Sequence, residues 1–178
     1  MNFKDNLIKY KEYSQGDISK KCIIEYEDID ILSFDFSKYD LNNSYFGGVN
    51  FEKCNFSNVY LSGSNFGGSF FKDCIFRENV INKAAWDDIV FEKTKILSMS
   101  ALRTTFMFGK FQDSYFAECY FEKSSFANSE FKNVEFRECT IIDSDFTECK
   151  FEMMQFIKCK LHNVKFDKNA DNQIVIIN

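Results

Sequence analysis

Proline is missing from this 178-residue chain, and histidine and tryptophan occur once each. Without proline every backbone N–H can donate, which suits an unbroken ladder of strands. A single histidine, His162, offers little to a metal centre or to histidine acid–base chemistry. There is no Cys-x-x-Cys pair, Walker loop, nucleophile elbow, Gly-x-Gly-x-x-Gly or His-Glu-x-x-His. No apolar run approaches a membrane span, and Met1-Asn2-Phe3-Lys4-Asp5-Asn6 leads into charged sequence without the apolar stretch of a secretory signal. The expected location is cytoplasmic, with no membrane partner, no cofactor and no enzymatic activity. A net charge of −5 with acids and bases interleaved, and no basic stripe, argues against nucleic acid as a partner.

What the chain does have is phenylalanine, 23 residues of it, at a fixed interval. Phe111, Phe116, Phe121, Phe126, Phe131 and Phe136 fall five apart, and the series continues through Ile141, Phe146, Phe151, Phe156, Leu161 and Phe166. Two residues before each sits something small or slim, such as Ser114, Cys119, Ser124, Ser129 and Val134. Steps of five rotate a helical side chain by about 140°, so no stripe forms. On a strand, five is odd, and successive rings would point to opposite faces. A core built from every fifth residue requires the chain to turn a corner once per quintet and wind around its own axis.

The number of quintets per coil is also legible. Aliphatic residues recur at every fourth central position, at Leu41, Leu61, Ile81, Ala101, Ile141 and Leu161, with Phe121 the exception. Gly47-Gly48 and Gly67-Gly68 lie twenty apart, as do Cys54 and Cys74, and Cys119, Cys139 and Cys159. Twenty residues per coil means four sides of five, stacked at about the 4.8 Å strand spacing. The register runs from Tyr26 to Phe166, which makes about seven coils and a rod roughly 34 Å long.

Ser124-Ser125-Phe126-Ala127-Asn128 and Ser144-Asp145-Phe146-Thr147-Glu148 resemble the repeat unit of the pentapeptide-repeat proteins: a small residue, often Asp or Asn, a central Leu or Phe, then two polar residues. The resemblance implies an all-β fold, a right-handed four-sided β-helix. One branch of that family protects DNA gyrase by imitating the shape and charge of duplex DNA, as a dimer joined through a C-terminal helical segment. This chain departs from that branch, since its end reads as a strand and its acids are interleaved with Lys and Arg.

Three segments follow. Residues 1–23 are a capping segment, with a helix over residues 2–13 that Asn2 caps, Gly16 stops, and Phe3, Leu7 and Tyr10 line on one face. Residues 24–168 are the repeat, and residues 169–178 a tail in which Gln173-Ile174-Val175-Ile176-Ile177 reads as a strand. All cysteines but Cys22 occupy the small inward slot, where a thiol packs as a small hydrophobe. Residues 70–108 are the least regular. Outward positions there carry Phe70, Ile75, Val80, Val90, Leu97, Leu102, Met107 and Phe108, while Trp86, Ile96 and Ala101 hold the centre and Met99 a small-residue slot. Either a regular coil wears an apolar girdle, or residues 83–100 bulge into a short helix. The first is preferred because the register is not lost.

Charges that neighbour one another in sequence, Glu52-Lys53, Glu92-Lys93, Glu122-Lys123 and Arg137-Glu138, are expected to form solvated pairs. The expected function is a non-catalytic scaffold that binds an unidentified protein. The girdle residues Phe70, Ile75, Val90, Leu97, Leu102, Met107 and Phe108 are the partner-binding candidates. Ile174, Val175, Ile176 and Ile177 are candidates for a homodimer contact through the C-terminal coil. Imitation of DNA toward a type II topoisomerase, DNA gyrase, is the alternative.

Overall fold

Each quintet forms one short side of a square coil and ends in a corner. The corner falls two residues after the central side chain, and there the backbone enters the left-handed region. From Asp28 to Asn163 every such position except Lys38 has φ between 50° and 70°, whether glycine or not. An L-residue in that region is disfavoured by about 1–2 kcal/mol, but the turned N–H donates to the carbonyl of the next coil, as from Lys53 to Lys72 (2.9 Å) and Asn128 to Thr147 (2.9 Å). At Asp35, Asp40, Asn55, Asn65 and Asp145, each just before a centre, the carboxylate or amide oxygen accepts the N–H two residues on, whereas Asp30 accepts from Asn50 Nδ2 instead. Thr147 N–H donates in this way to Asp145 Oδ1 (2.8 Å) and Gly67 N–H to Asn65 Oδ1 (2.8 Å). That local bond is why the repeat favours Asp and Asn at this position.

The structure is a computed structural model that describes residues 3–14, 24–168, 170 and 174–177. Parallel strands pair at a register of twenty throughout: Phe51 with Phe71, Phe116 with Phe136, Phe121 with Ile141, Tyr26 with Phe46. This gives four faces. The first carries the central column Ile31 to Phe151, the second Phe36 to Phe156, the third Leu41 to Leu161, and the fourth Tyr26 to Phe166. The fourth face is joined mostly by single bridges, such as Ser125 with Asp145. Two strands, Glu130–Arg137 and Lys150–Ile157, run around a corner and belong to both the first and second faces. The register never slips across residues 83–100, so the regular coil is the arrangement found there.

The central side chains fill the interior. Most rings in one column stack nearly parallel, as Phe56 on Phe76 (4.6 Å, 5°) and Phe116 on Phe136 (4.4 Å, 4°), while neighbouring columns meet edge to face. Around Phe91 and Trp86 the rings of one column meet edge to face as well. Trp86 is fully buried among Phe66, Phe71, Phe76, Phe91 and Phe106, and its Nε1–H donates to Ser64 Oγ at 3.0 Å. Ile96 and Ala101 in the same coil are fully buried as well. In the small slot two before the centre many side chains bond across coils, although Ser44 and Ser64 bond within their own coil and the buried Asn79 Oδ1 has no partner among the described residues. Ser69 Oγ donates to Phe46 O (2.7 Å), Ser129 Oγ to Phe106 O (3.0 Å) and Cys159 Sγ to Phe136 O (3.2 Å). The cysteines thus stand where serines stand elsewhere.

Helix α1, Phe3–Ser14, covers the first coil. Leu7 is fully buried, and the ring of Phe3 lies edge-on to Tyr26, Phe34 and Phe36. The expected Asn2 cap, the Gly16 stop, the Tyr10 side chain and Cys22 fall outside the described residues. At the other end the strand Ile174–Ile177 pairs with Lys150–Ile157 in the same register of twenty, Phe156 opposite Ile176. Ile174 packs on the core, but Ile176, though it continues the second central column, is 57% exposed.

Candidate interaction surfaces

The seven girdle residues lie in a band around the rod, divided among all four faces. Phe70 and Val90 are register partners on the first face. Ile75 and Leu97 lie on the second, and Leu102 on the third beside Tyr60 and Asn82, where a shallow groove forms. Met107 is on the fourth face and Phe108 at its corner. Phe108 is the most exposed of them at 51%; the other six are half-buried. A partner on one flat face reaches at most two or three of the seven.

Phe108 has φ 58. Left-handed corners between Asp28 and Asn163 otherwise hold Gly, Asp, Asn, Ser, Glu, Lys or Arg, apart from Met153. A bulky ring there is strained, and strain in an exposed side chain points toward a role outside the core.

The pairing of outward charges differs from the expectation in two places. Glu52–Lys53 (3.0 Å) and Glu122–Lys123 (3.4 Å) pair as neighbours, but Arg137 pairs with Glu135 at 2.7 Å rather than with Glu138, and Glu92 with Lys72 at 3.8 Å rather than with Lys93. Glu135 and Arg137 flank the centre Phe136, and Lys72 and Glu92 are register partners one coil apart, so both contacts lie across a face. Cross-coil pairs Lys150–Glu130 (2.7 Å) and Lys132–Glu152 (3.3 Å) extend this ladder along the first face.

Sorting charges by face, with each corner assigned to the face before it, shows what interleaving conceals. The first face has seven acids and six bases, the second five and five, the third three and four. The fourth has eight acids against Lys165 and Lys168 alone, a surplus larger than the net charge of the whole chain. The acids fall in three groups: Glu25, Glu27 and Asp28; Asp87 and Asp88; Asp145, Glu148 and Asp167. Among the described residues none of them has a cation within ion-pair distance. They accept from neutral donors instead, Asp87 from Met107 N–H (2.8 Å) and Thr105 Oγ1 (3.1 Å), Asp167 from Glu148 N–H (2.8 Å). The field is felt by Tyr45, whose hydroxyl is held above the usual phenol range by Glu27, with burial, Asp28 and Glu25 adding to it. Reading the outward positions at a period of twenty would have found this face.

The thiols do not gather into a metal centre: among the described residues no group of three or more His, Cys, Asp or Glu is placed to hold one. Cys139 is pushed above the usual thiol range by the Cys119 thiol stacked on it, and Cys159 by Cys139, with burial adding in each case. Burial lifts Cys149 to about 11. Among the described residues no helix is long and apolar enough to cross a membrane.

Registers of twenty on four sides define a parallel quadrilateral β-helix. A family model described as pentapeptide repeats (8 copies) matches residues 35–84, and one described as pentapeptide repeat region matches residues 119–175. The chain belongs to the pentapeptide-repeat family. Among solved structures it is similar to a trypsin-treated form of QnrB1, a plasmid-mediated fluoroquinolone resistance protein, at 11% identity over 84% of this chain and 94% of that one, with a TM-score of 0.35. It is also similar to HetL, a pentapeptide-repeat protein involved in heterocyst differentiation regulation from the cyanobacterium Nostoc sp. strain PCC 7120, at 10% identity, 87% and 90% coverage and a TM-score of 0.30. A third is Rfr23 from the cyanobacterium Cyanothece 51142, at 10% identity, 94% and 98% coverage and a TM-score of 0.27. No curated protein sequence matches the chain.

Proposed function

We propose that the rod is a non-catalytic scaffold that binds a protein partner through its outer faces, and that it pairs with a second copy through its C-terminal coil. Phe108 is the observation that carries the first half: an aromatic ring held in strained backbone at a corner and half in water. The second half draws on Val175, Ile176 and Ile177, all exposed on the last strand. Affinity capture from the source cell tests the scaffold reading. The wild-type chain retrieves a defined partner, and Phe108→Asn and Leu102→Asp fold normally but retrieve less of it. Retention of the partner by both variants refutes the assignment.

The alternative, imitation of DNA toward DNA gyrase, draws support from the acidic fourth face. Duplex DNA is charged on every side, whereas three of these four faces balance their acids with bases. The scaffold reading is therefore preferred. Supercoiling by purified gyrase in the presence of the protein separates the two, since a DNA mimic inhibits it or protects it from a quinolone.

A further inference from the structure

We infer that the fourth face is a docking surface for an extended, arginine- or lysine-rich protein segment, with Phe108 at its edge. This rests on the scaffold reading and specifies the chemistry of the partner. Six of the fifteen carboxylates on the other three faces sit in the ion pairs described above. Those of the fourth face have none within that distance among the described residues, so cationic groups supplied from outside would complete it. In its middle coils the outward positions are short at Gly67 and Ala85, while the Tyr45 ring lies over Gly47.

The spacing sets a register. The groups around Glu27, Asp87 and Glu148 are three coils apart, about 14 Å at the strand spacing. An extended peptide advances about 3.3 Å per residue, so cations roughly four residues apart match all three groups, and about ten residues span them. Met107 and Phe108 lie one coil beyond Asp87 and Asp88 and offer an apolar contact between the second and third groups. An arginine stem and guanidinium can use both features, the carboxylate and the ring face.

The test uses the full chain and labelled peptides of equal charge, one with arginine pairs every four residues and one with the arginines in a single block. Fluorescence anisotropy at low and physiological salt gives the affinity. The spaced peptide binds tighter than the block. Asp88→Lys with Glu148→Lys weakens it by roughly tenfold or more, while the same charge change at Glu118 and Glu138 on the second face weakens it less than about threefold. Phe108→Ala lowers affinity by a factor that persists at high salt, where screening removes the charge contribution. Equal loss from both double variants, or no preference for the spaced peptide, means that net charge alone attracts the peptide and overturns the inference. No binding to either peptide also overturns it, yet leaves the scaffold reading intact if capture through Phe108 and Leu102 succeeds. Thermal melts of each variant exclude loss of fold as the cause.

Discussion

Replacing Phe131 by alanine is the sharpest test of the stacked interior. The ring is 1% exposed and lies between Phe111 (4.8 Å, 8°) and Phe151 (5.6 Å, 21°) in its own column. Phe126, Phe136 and Phe146 press on it from neighbouring columns at 5.8 to 6.4 Å. Truncating a buried Phe costs about 3–5 kcal/mol, depending on how far the site can collapse. Here collapse is restricted, because Glu130 and Lys132 on either side are hydrogen-bonded rungs between coils and hold the walls apart. Two parallel stacks, each worth about 0.5–1.5 kcal/mol beyond area burial, are lost as well. The expected loss is about 4 kcal/mol. At 2–4 °C per kcal/mol for a chain of this size, Tm falls by about 8–16 °C. Phe166→Ala is the matched control: that ring is half-buried at the open end and stacks on Phe146 alone in its column (5.4 Å). It should cost only about 1–2 kcal/mol, part of a full burial energy. Differential scanning calorimetry of both variants decides the matter. Equal shifts, or a Phe131→Ala melt within a degree or two of wild type, would refute a core in which each ring is clamped by the coils around it.

Phe108→Asn should raise stability by about 0.5–1 kcal/mol, because Asn tolerates the left-handed corner; a lower Tm in this variant would show that the ring is packed rather than presented. Gly48→Ala, at φ 63, should lower stability by about 1 kcal/mol because a Cβ is disfavoured in the left-handed region, the Asp28 carboxylate swinging aside; an unchanged melt would show that the corner imposes no such cost. Thiol titration of the native protein at neutral pH should find Cys54, Cys74, Cys119 and Cys139 slow, all becoming reactive on unfolding. The pH dependence has a definite sign. Folding raises the Cys149 pKa, so the folded state holds its proton longer than the unfolded chain does. Stability from this group is complete below the unfolded thiol value near 8.5 and declines as pH rises toward about 11, which denaturation midpoints at pH 7 to 10.5 would reveal. Sedimentation of the full chain against a truncation after Lys168 tests the C-terminal pairing: the full chain should run as a dimer and the truncation as a monomer, and two equal monomers would end that proposal.

The period of five determined the coil from the sequence alone, because no regular element can bury every fifth residue unless the chain turns a corner each time. The period of twenty then set the four sides and predicted which side chains would stack, Phe111 on Phe131 and Cys119 on Cys139 among them. What the sequence left open was decided by volume and by direction. Whether residues 83–100 bulge depended on whether Trp86 fits a regular coil, and it does, fully buried against Phe66, Phe71 and Phe76. Ion pairing depended on which opposite charges the fold sets side by side, so Arg137 meets Glu135 across Phe136 whereas Glu52 meets its chain neighbour Lys53. The acidic fourth face was hidden for a related reason. Acids and bases are interleaved along the chain, and Glu27, Asp87 and Glu148 come onto one surface only when the outward positions are sorted at a period of twenty. That they find no cation within ion-pair distance among the described residues was decided by the folded coil.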